Sequence, residues 1–254
     1  MTAWLALMGA FLVMGGQFAV ARRGLAEGLT AYDLVALRFA GAALPAVAVL
    51  LWRGAPQLGG VGYGRAAILT LVAGSPYALL MYAALRFAPA AHGAMLIPGL
   101  GIVVATLLGA AWVGERHGPG RYLGVGLVVA GLVALGLGGG APSPATAAGD
   151  LMLVAAGVAW GLFTLLVRRW QLDALAATAA FSVLSLLYLP VYVVALSPRV
   201  LDVAPEEALL QAAYQGVLQT AFAFAGYAYA VRRLGAGTAA IGTAAGPRRT
   251  TLVP

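Results

Sequence analysis

Three glutamines spaced four apart, Gln211, Gln215 and Gln219, stand in an otherwise apolar run from Ala208 to Val231. At helical spacing they share one face, which Phe222 and Gly226 continue. An unpaired amide in hydrocarbon costs a few kcal/mol, so this face must meet protein or water. Its chemistry is neutral hydrogen bonding, suited to a polar ligand in a cavity or to a neighbouring helix, and spacing alone leaves both readings open. Gln17, beside Gly15 and Gly16, offers the same chemistry with the same alternative. Ser75 and Tyr77 flank Pro76, which removes a backbone donor and disturbs the preceding turn near the centre of its run. Trp160 and Thr164, four apart, present a ring and a hydroxyl on one face, for a cavity wall or for packing against Gly161. Pro98, with Gly99 and Gly101, loosens its helix, as a static kink or as a flexing point. The candidate ligand-lining set is therefore Gln17, Ser75, Tyr77, Pro98, Trp160, Thr164, Gln215, Gln219 and Phe222.

Other chemistries lack support. His92 and His117 are isolated in sequence, and neither a His-Glu-x-x-His nor a Gly-x-Ser-x-Gly pattern occurs, so no metal site and no serine nucleophile is indicated. The absence of cysteine removes thiol catalysis, disulfides and Cys-ligated zinc. The expectation is a chain that is not an enzyme and has no catalytic residues, metal or cofactor. Because no Asp, Glu or Lys falls at the centre of an apolar run, a carboxylate proton relay is absent there. The ligand is then expected to be neutral or zwitterionic and recognised by amides and aromatic rings. The remaining polar residues read structurally. Thr30 with Asp33 fits a capping box, Arg38 two turns later extends to an interface or pairs with an acid, and Tyr82 suits an interfacial belt. Glu115, at a helix C-terminus that disfavours an anion, calls for compensation by Arg116 or Arg121.

These residues must be positioned by helices in a bilayer. With 62% hydrophobic and 9% charged residues and a mean hydropathy of +0.94, the chain cannot cover a soluble surface with charge. The net charge of +7 comes from arginines scattered singly or in pairs between apolar runs, so nucleic acid is not an expected partner; lipid is. The run Ala94 to Gly114, of 21 residues, crosses a hydrocarbon core of about 30 Å. Small residues four apart, at Gly101, Ala105 and Gly109 and again at Gly126, Ala130, Ala134 and Gly138, predict close helix neighbours on both sides of the charged turn at Glu115 to Arg121.

Full spans are expected at Ala3 to Ala21, Tyr32 to Leu51, Ala66 to Leu85, Ala91 to Gly114, Tyr122 to Gly138, Leu151 to Val167, Ala174 to Leu196 and Ala208 to Val231, with a partial ninth from Gly235. The small-x-small triplet Ala19-Val20-Ala21 resembles a signal-cleavage site, but no basic residue precedes the first run and it reads as a retained helix. Eight arginines fall in one set of loops and four in the other, favouring a cytoplasmic N-terminus.

An internal repeat organises the spans. An offset of 146 residues superposes Arg22-Arg23 on Arg168-Arg169, Gly15 on Gly161 and Arg86 on Arg232. Five helices per repeat, an odd number, make the halves opposite in orientation. The expected fold is an all-α integral membrane protein of two inverted five-helix repeats, 1–140 and 147–254, the second truncated, giving about eight full spans plus a partial ninth.

The run Leu96-Ile97-Pro98 leading to Gly114-Glu115-Arg116 and Tyr122-Leu123-Gly124, with Ala36-Leu37-Arg38-Phe39-Ala40 and Ala84-Leu85-Arg86, resembles the drug/metabolite transporter superfamily, specifically its EamA-type members. The resemblance covers nearly the whole chain. It implies an inner-membrane, multi-pass transporter that exports small polar or amphipathic metabolites by alternating access through a cavity between the repeats, a homo-oligomer being allowed. The chain departs from that pattern at its end, where Gly246-Pro247-Arg248-Arg249 stand at a mid-span position and the counterparts of the last helices are missing. The alternatives are a non-transporting membrane interaction subunit or an inactive truncated fragment.

Overall fold

A computed structural model describes residues 2–54, 56–138 and 143–223. Among the described residues the secondary structure is helical, without strands. In order the elements are α1 (Thr2–Ala26), α2 (Ala31–Arg53), a short turn α3 (Gln57–Gly60), α4 (Tyr63–Ala73), α5 (Ser75–Ala84) and α6 (Ala90–Leu108). After a π-helical turn at Gly109–Val113 come α7 (Pro119–Gly138), α8 (Pro144–Arg169), α9 (Ala174–Ser185), α10 (Tyr188–Ala195) and α11 (Pro205–Gln211), the last continuing into a π-helical segment at Ala212–Ala223. Six stretches among the described residues are long and apolar enough to cross a membrane: Ala31–Arg53, Tyr63–Ala84, Ala90–Trp112, Pro119–Gly136, Pro144–Arg169 and Ala174–Ala195. Helix α1, with 25 residues, adds a rod of roughly 37 Å. The expected eighth span is described as far as Ala223, and the ninth candidate and the ending at 246–249 lie outside the described residues.

Local chemistry sets the helix ends. Thr30 and Asp33 form the expected capping box: the Thr30 hydroxyl accepts from the Asp33 N–H, and the Asp33 carboxylate accepts from the Thr30 N–H at 2.6 Å. The same carboxylate reaches further than a cap needs, because it also accepts from the Tyr192 hydroxyl and from the Arg199 N–H at 3.0 Å. It thereby ties the start of α2 to the end of α10. The third expected span breaks at Gly74 rather than within a helix at Pro76. Gly74 closes α4, and Pro76 then stands in the first turn of α5, where its missing donor costs nothing. A Cβ on Gly74 would stand 2.6 Å from the Thr70 carbonyl oxygen and 2.5 Å from Ser185 Oγ, so the break needs glycine. The expected loosening at Pro98 is not seen as a break: α6 runs through it, and the irregularity falls at Gly109–Val113.

Small residues let these helices touch. The segment 212–223 lies against α2 and α1, α9 against α2 and α4, and α8 against α6, α5 and α4. On α8, Gly157 faces Leu100 and the Leu96 carbonyl, and Gly161 faces Val104 and the Gly101 carbonyl. This realises the close approach predicted for the Gly101, Ala105 and Gly109 face. On α7 nothing described stands within 4 Å of a Cβ built on Gly126, and α7 meets α6 through Val128 and Leu132, which lie against Gly99.

Candidate functional site

Four elements converge on one buried polar cluster. Arg38, in the eighth position of α2, is 5% exposed and sends Nη1 to Gln17 Oε1 of α1 at 3.1 Å and to Tyr82 Oη of α5 at 3.3 Å. Tyr82 in turn donates to Gln215 Oε1 at 3.1 Å, and Gln215 Nε2 donates to the Gln17 carbonyl at 2.8 Å. Gln17 Nε2 is spent on its own helix, at the Met14 carbonyl. The Arg38 guanidinium also stands 5.9 Å from the centre of the Phe39 ring. The result is a closed polar knot in an apolar bundle, with Tyr82 and Gln215 fully buried.

The convergence rests on a backbone contact. A Cβ on Gly216 would lie 2.6 Å from Gly41 Cα and 2.7 Å from the Arg38 carbonyl oxygen, and one on Gly41 would collide with the Ala212 carbonyl. Only glycine at both crossing points brings Gln215 and Arg38 to the same hydroxyl. Gly24 plays a similar part above the knot, leaving room for the Gln211 amide, which donates to the Val20 carbonyl at 2.7 Å and to Glu207 Oε1 at 2.8 Å. Glu207 closes that outer layer with an ion pair to Arg23 at 2.9 Å.

Beside the knot runs a ladder of rings. Tyr77 stacks on Trp160 with centroids 6.0 Å apart, Trp160 on Phe163 at 5.1 Å, and Phe163 meets the edge of Phe181 at 5.6 Å. Tyr77 is buried on α5, the same helix that carries Tyr82 into the knot. One side of the site thus offers charge and amides, the other aromatic faces.

Of the expected site residues, Gln17, Gln215, Tyr77 and Trp160 come together here. Gln219 is 2% exposed one turn further along the same segment. Its Oε1 has no hydrogen-bond partner among the described residues. Ser75 and Thr164 are placed apart from the knot by their own bonds: the Ser75 N–H donates to Ser185 Oγ at 3.1 Å, and Thr164 Oγ1 donates back to the Trp160 carbonyl at 3.0 Å. Pro98 is exposed on α6. Phe222 belongs to the segment Ala212–Ala223, and its side chain lies outside the described residues.

Four structural readings change. Arg38 neither extends to an interface nor meets an acid. All eight Asp and Glu of the chain are described, and the ion pairs they form go to Arg23, Arg53, Arg168 and the two histidines. Tyr82 is not a belt residue but a full member of the knot. Glu115 is compensated not by Arg116 or Arg121 but by Arg168 at 3.1 Å, with His117 at 3.3 Å, while Arg121 reaches Thr106 Oγ1. His92 is not isolated, since its Nδ1 stands 2.7 Å from Asp150. Apart from His117 beside Glu115, these partners come from distant helices, which sequence neighbours could not reveal. For Arg38 one signal was available: a charge two turns inside an apolar run costs about 2.5–3.5 kcal/mol at a helix centre and marks a functional position by default.

Two cavities accompany the cluster. One of about 410 Å³ is lined by Arg22, Arg86 and Arg199 together with Gly28, Leu29 and Thr30. Its Arg22 donates to the Leu85 carbonyl and, at 2.9 Å, to that of Ala88, satisfying the end of α5. The other, of about 120 Å³, lies among Pro45, Val49, Thr178 and Thr220.

Comparisons with known proteins fit this architecture. A search of curated proteins gives no match. A solved crystal structure shares 24% sequence identity with this chain at a TM-score of 0.60, covering 91% of this chain and 79% of its own, a likeness of fold. The sequence pattern of the EamA-like transporter family matches residues 1–137 and 147–252, so this multi-pass helical chain belongs to the EamA-like transporter family.

Proposed function

We propose that the chain exports a small polar or amphipathic metabolite, neutral or zwitterionic, by alternating access of two inverted repeats about the Gln17, Arg38, Tyr82 and Gln215 knot. The observation that carries this reading is the knot itself: four helical elements bury a guanidinium, two amides and a phenol together in an otherwise apolar bundle. The knot, with the aromatic ladder from Tyr77 and Trp160, forms the central contact set. Gln219 and Phe222 extend it along their segment, and Pro98, Ser75 and Thr164 complete the proposed set on α6, α5 and α8.

The helix contacts support the inverted repeat. Shifting by 146 residues takes α1 onto α8, α2 onto the α9–α10 region, and α4–α5 onto the segment after Leu209. The packing obeys the same exchange: α1 lies against the 212–223 segment as α8 lies against α4 and α5, α2 lies against that segment as α9 lies against α4, and the α2 and α9 pair is its own counterpart. Such an exchange is what a pseudo-two-fold axis relating the two halves produces, and the odd number of spans per half is the reason for proposing that the axis lies in the membrane plane. The architecture proposed is eight spans with a ninth beginning at Gly235, in the inner membrane, with the N-terminus cytoplasmic, where the larger set of loop arginines then lies.

Purified protein reconstituted in liposomes loaded with a mixture of amino acids, nucleosides, sugars and organic acids tests this. At least one solute is expected to leave faster than from protein-free liposomes, read by mass spectrometry of the exterior. No accelerated solute at all contradicts transport. The second reading, a membrane interaction subunit, is favoured by one feature, the α7 face around Gly126, against which nothing stands among the described residues. It predicts crosslinking of α7 to a constant partner, unaltered by solutes.

A further inference from the structure

We infer that Arg38 is the receptor for a carboxylate on the transported molecule, so that the cargo carries a single carboxylate joined to an aromatic or apolar body. The inference rests on the transport reading and departs from it in one respect: a carboxylate makes the cargo a zwitterion or a monoanion and excludes a neutral molecule.

A guanidinium out of water needs a counter-anion, and a buried cation without one is strongly disfavoured. The chain's eight side-chain carboxylates are all among the described residues, and none pairs with Arg38. The buried ones are committed elsewhere: Asp33 to the cap, Tyr192 and Arg199, and Glu207 to Arg23 and Gln211. What Arg38 meets instead is neutral oxygen. Gln17 Oε1 and Tyr82 Oη sit on the same Nη1, at 3.1 and 3.3 Å, as two weak acceptors in the place a carboxylate oxygen would take. A planar guanidinium is matched to a carboxylate by geometry as well as charge, and the gain is largest where water is excluded.

Two further features fit the same cargo. The cavity of about 410 Å³ opens among Arg22, Arg86 and Arg199 and includes Thr30, from which Arg38 lies about 12 Å further along α2. An anionic group meets the three arginines at the cavity, while the buried Asp33 carboxylate, between Thr30 and Arg38 on α2, is satisfied by Thr30, Tyr192 and the Arg199 N–H. Past Arg38, the ring ladder starting at Tyr77 and Trp160 offers stacking surface and no buried carboxylate for a second, cationic pole.

Binding measured on the whole protein in lipid nanodiscs tests the assignment with three probes of one skeleton: 3-phenylpropionate, phenylalanine and 3-phenylpropionamide. At least one of the two acids is expected to bind roughly tenfold or more tightly than the amide, the amount by which a charge-assisted pair exceeds a neutral one. Arg38→Gln removes that preference. Because Arg38→Gln can also loosen the bundle, Gln215→Glu supplies the second variant. It sets a carboxylate on the same Tyr82 hydroxyl that Arg38 touches, at the cost of the amide's bond to the Gln17 carbonyl, and with Arg38 still in place this internal anion is expected to abolish acid binding while the size-exclusion profile stays that of the folded protein. Equal binding of acid and amide by the unaltered protein, acid preference surviving in both variants, or no binding of any probe overturns the carboxylate assignment. The transport reading falls separately, only if the loaded-liposome screen also finds no exported solute.

Discussion

Gly216→Val is expected to abolish accumulation of correctly folded protein, the largest effect of any single substitution described here. The valine Cβ would meet backbone on every side, with Gly41 Cα at 2.6 Å and the Ala42 nitrogen and Arg38 carbonyl oxygen at 2.7 Å. Side chains can rotate away from such a clash, but two helix backbones can only separate. In a membrane, where helix association relies on van der Waals closeness, separation removes the attraction itself. It also pulls Gln215 off Tyr82 and leaves a buried charge with fewer acceptors. A loss of roughly 3 kcal/mol or more follows from combining overpacking with an opened polar cluster. Size-exclusion profiles and thermal unfolding in detergent check it. Gly126→Val on α7 serves as the control, because nothing stands near its Cβ, and it is expected to melt within a few degrees of the unaltered protein. Unfolding of Gly216→Val at the unaltered temperature would show that α2 and the 212–223 segment do not touch.

Gln215→Leu is expected to leave a folded protein that transports roughly tenfold or more slowly. Leucine matches the volume well but can neither accept from the Tyr82 hydroxyl nor donate to the Gln17 carbonyl, so two bonds within the knot vanish. Each unsatisfied buried group costs about 1–3 kcal/mol, of which a part appears as lost stability and a part as a misplaced Tyr82 and Arg38. The split is measurable: a melting temperature that falls by a few degrees together with a much larger fall in initial export rate, for whichever solute the loaded-liposome screen identifies. A variant with a lowered melting temperature but unaltered rate would demote Gln215 to interhelical glue.

Much of this arrangement was legible in the chain, and what was hidden shares one cause. Uncharged runs located the helices because hydrocarbon forbids anything else there. The Thr30 and Asp33 cap and the Gly101 face are local patterns that pack as read. Gln17 and Gln215 stood out because a polar group in an apolar run must find a partner. What the spacing could not say was which partner. Arg38 lies 21 residues from Gln17 and 44 from Tyr82, and Tyr82 lies 133 from Gln215. Read singly, an arginine near a helix start snorkels and a tyrosine near a helix end belongs to a belt; only the crossing at Gly41 and Gly216 turns them inward together. The same limit hid Arg168 as the partner of Glu115, 53 residues away. The break at Gly74 was misplaced by one turn logic: Pro76 was weighed as an interruption of a helix when its cheapest position is the start of a new one.

The account stands on the knot being reached by solutes from both faces of the membrane in turn. The chain has no cysteine, so a single cysteine can be placed without background. With Gln215→Cys in sealed liposomes of known orientation, a small membrane-impermeant thiol reagent is expected to label the site from either face, the rate from one face rising as that from the other falls when cargo is supplied on one side. A cysteine at 215 that reacts from neither face, with and without solutes, while cysteines in the loops react normally, would mean that the cluster is a sealed structural core and not a transport site.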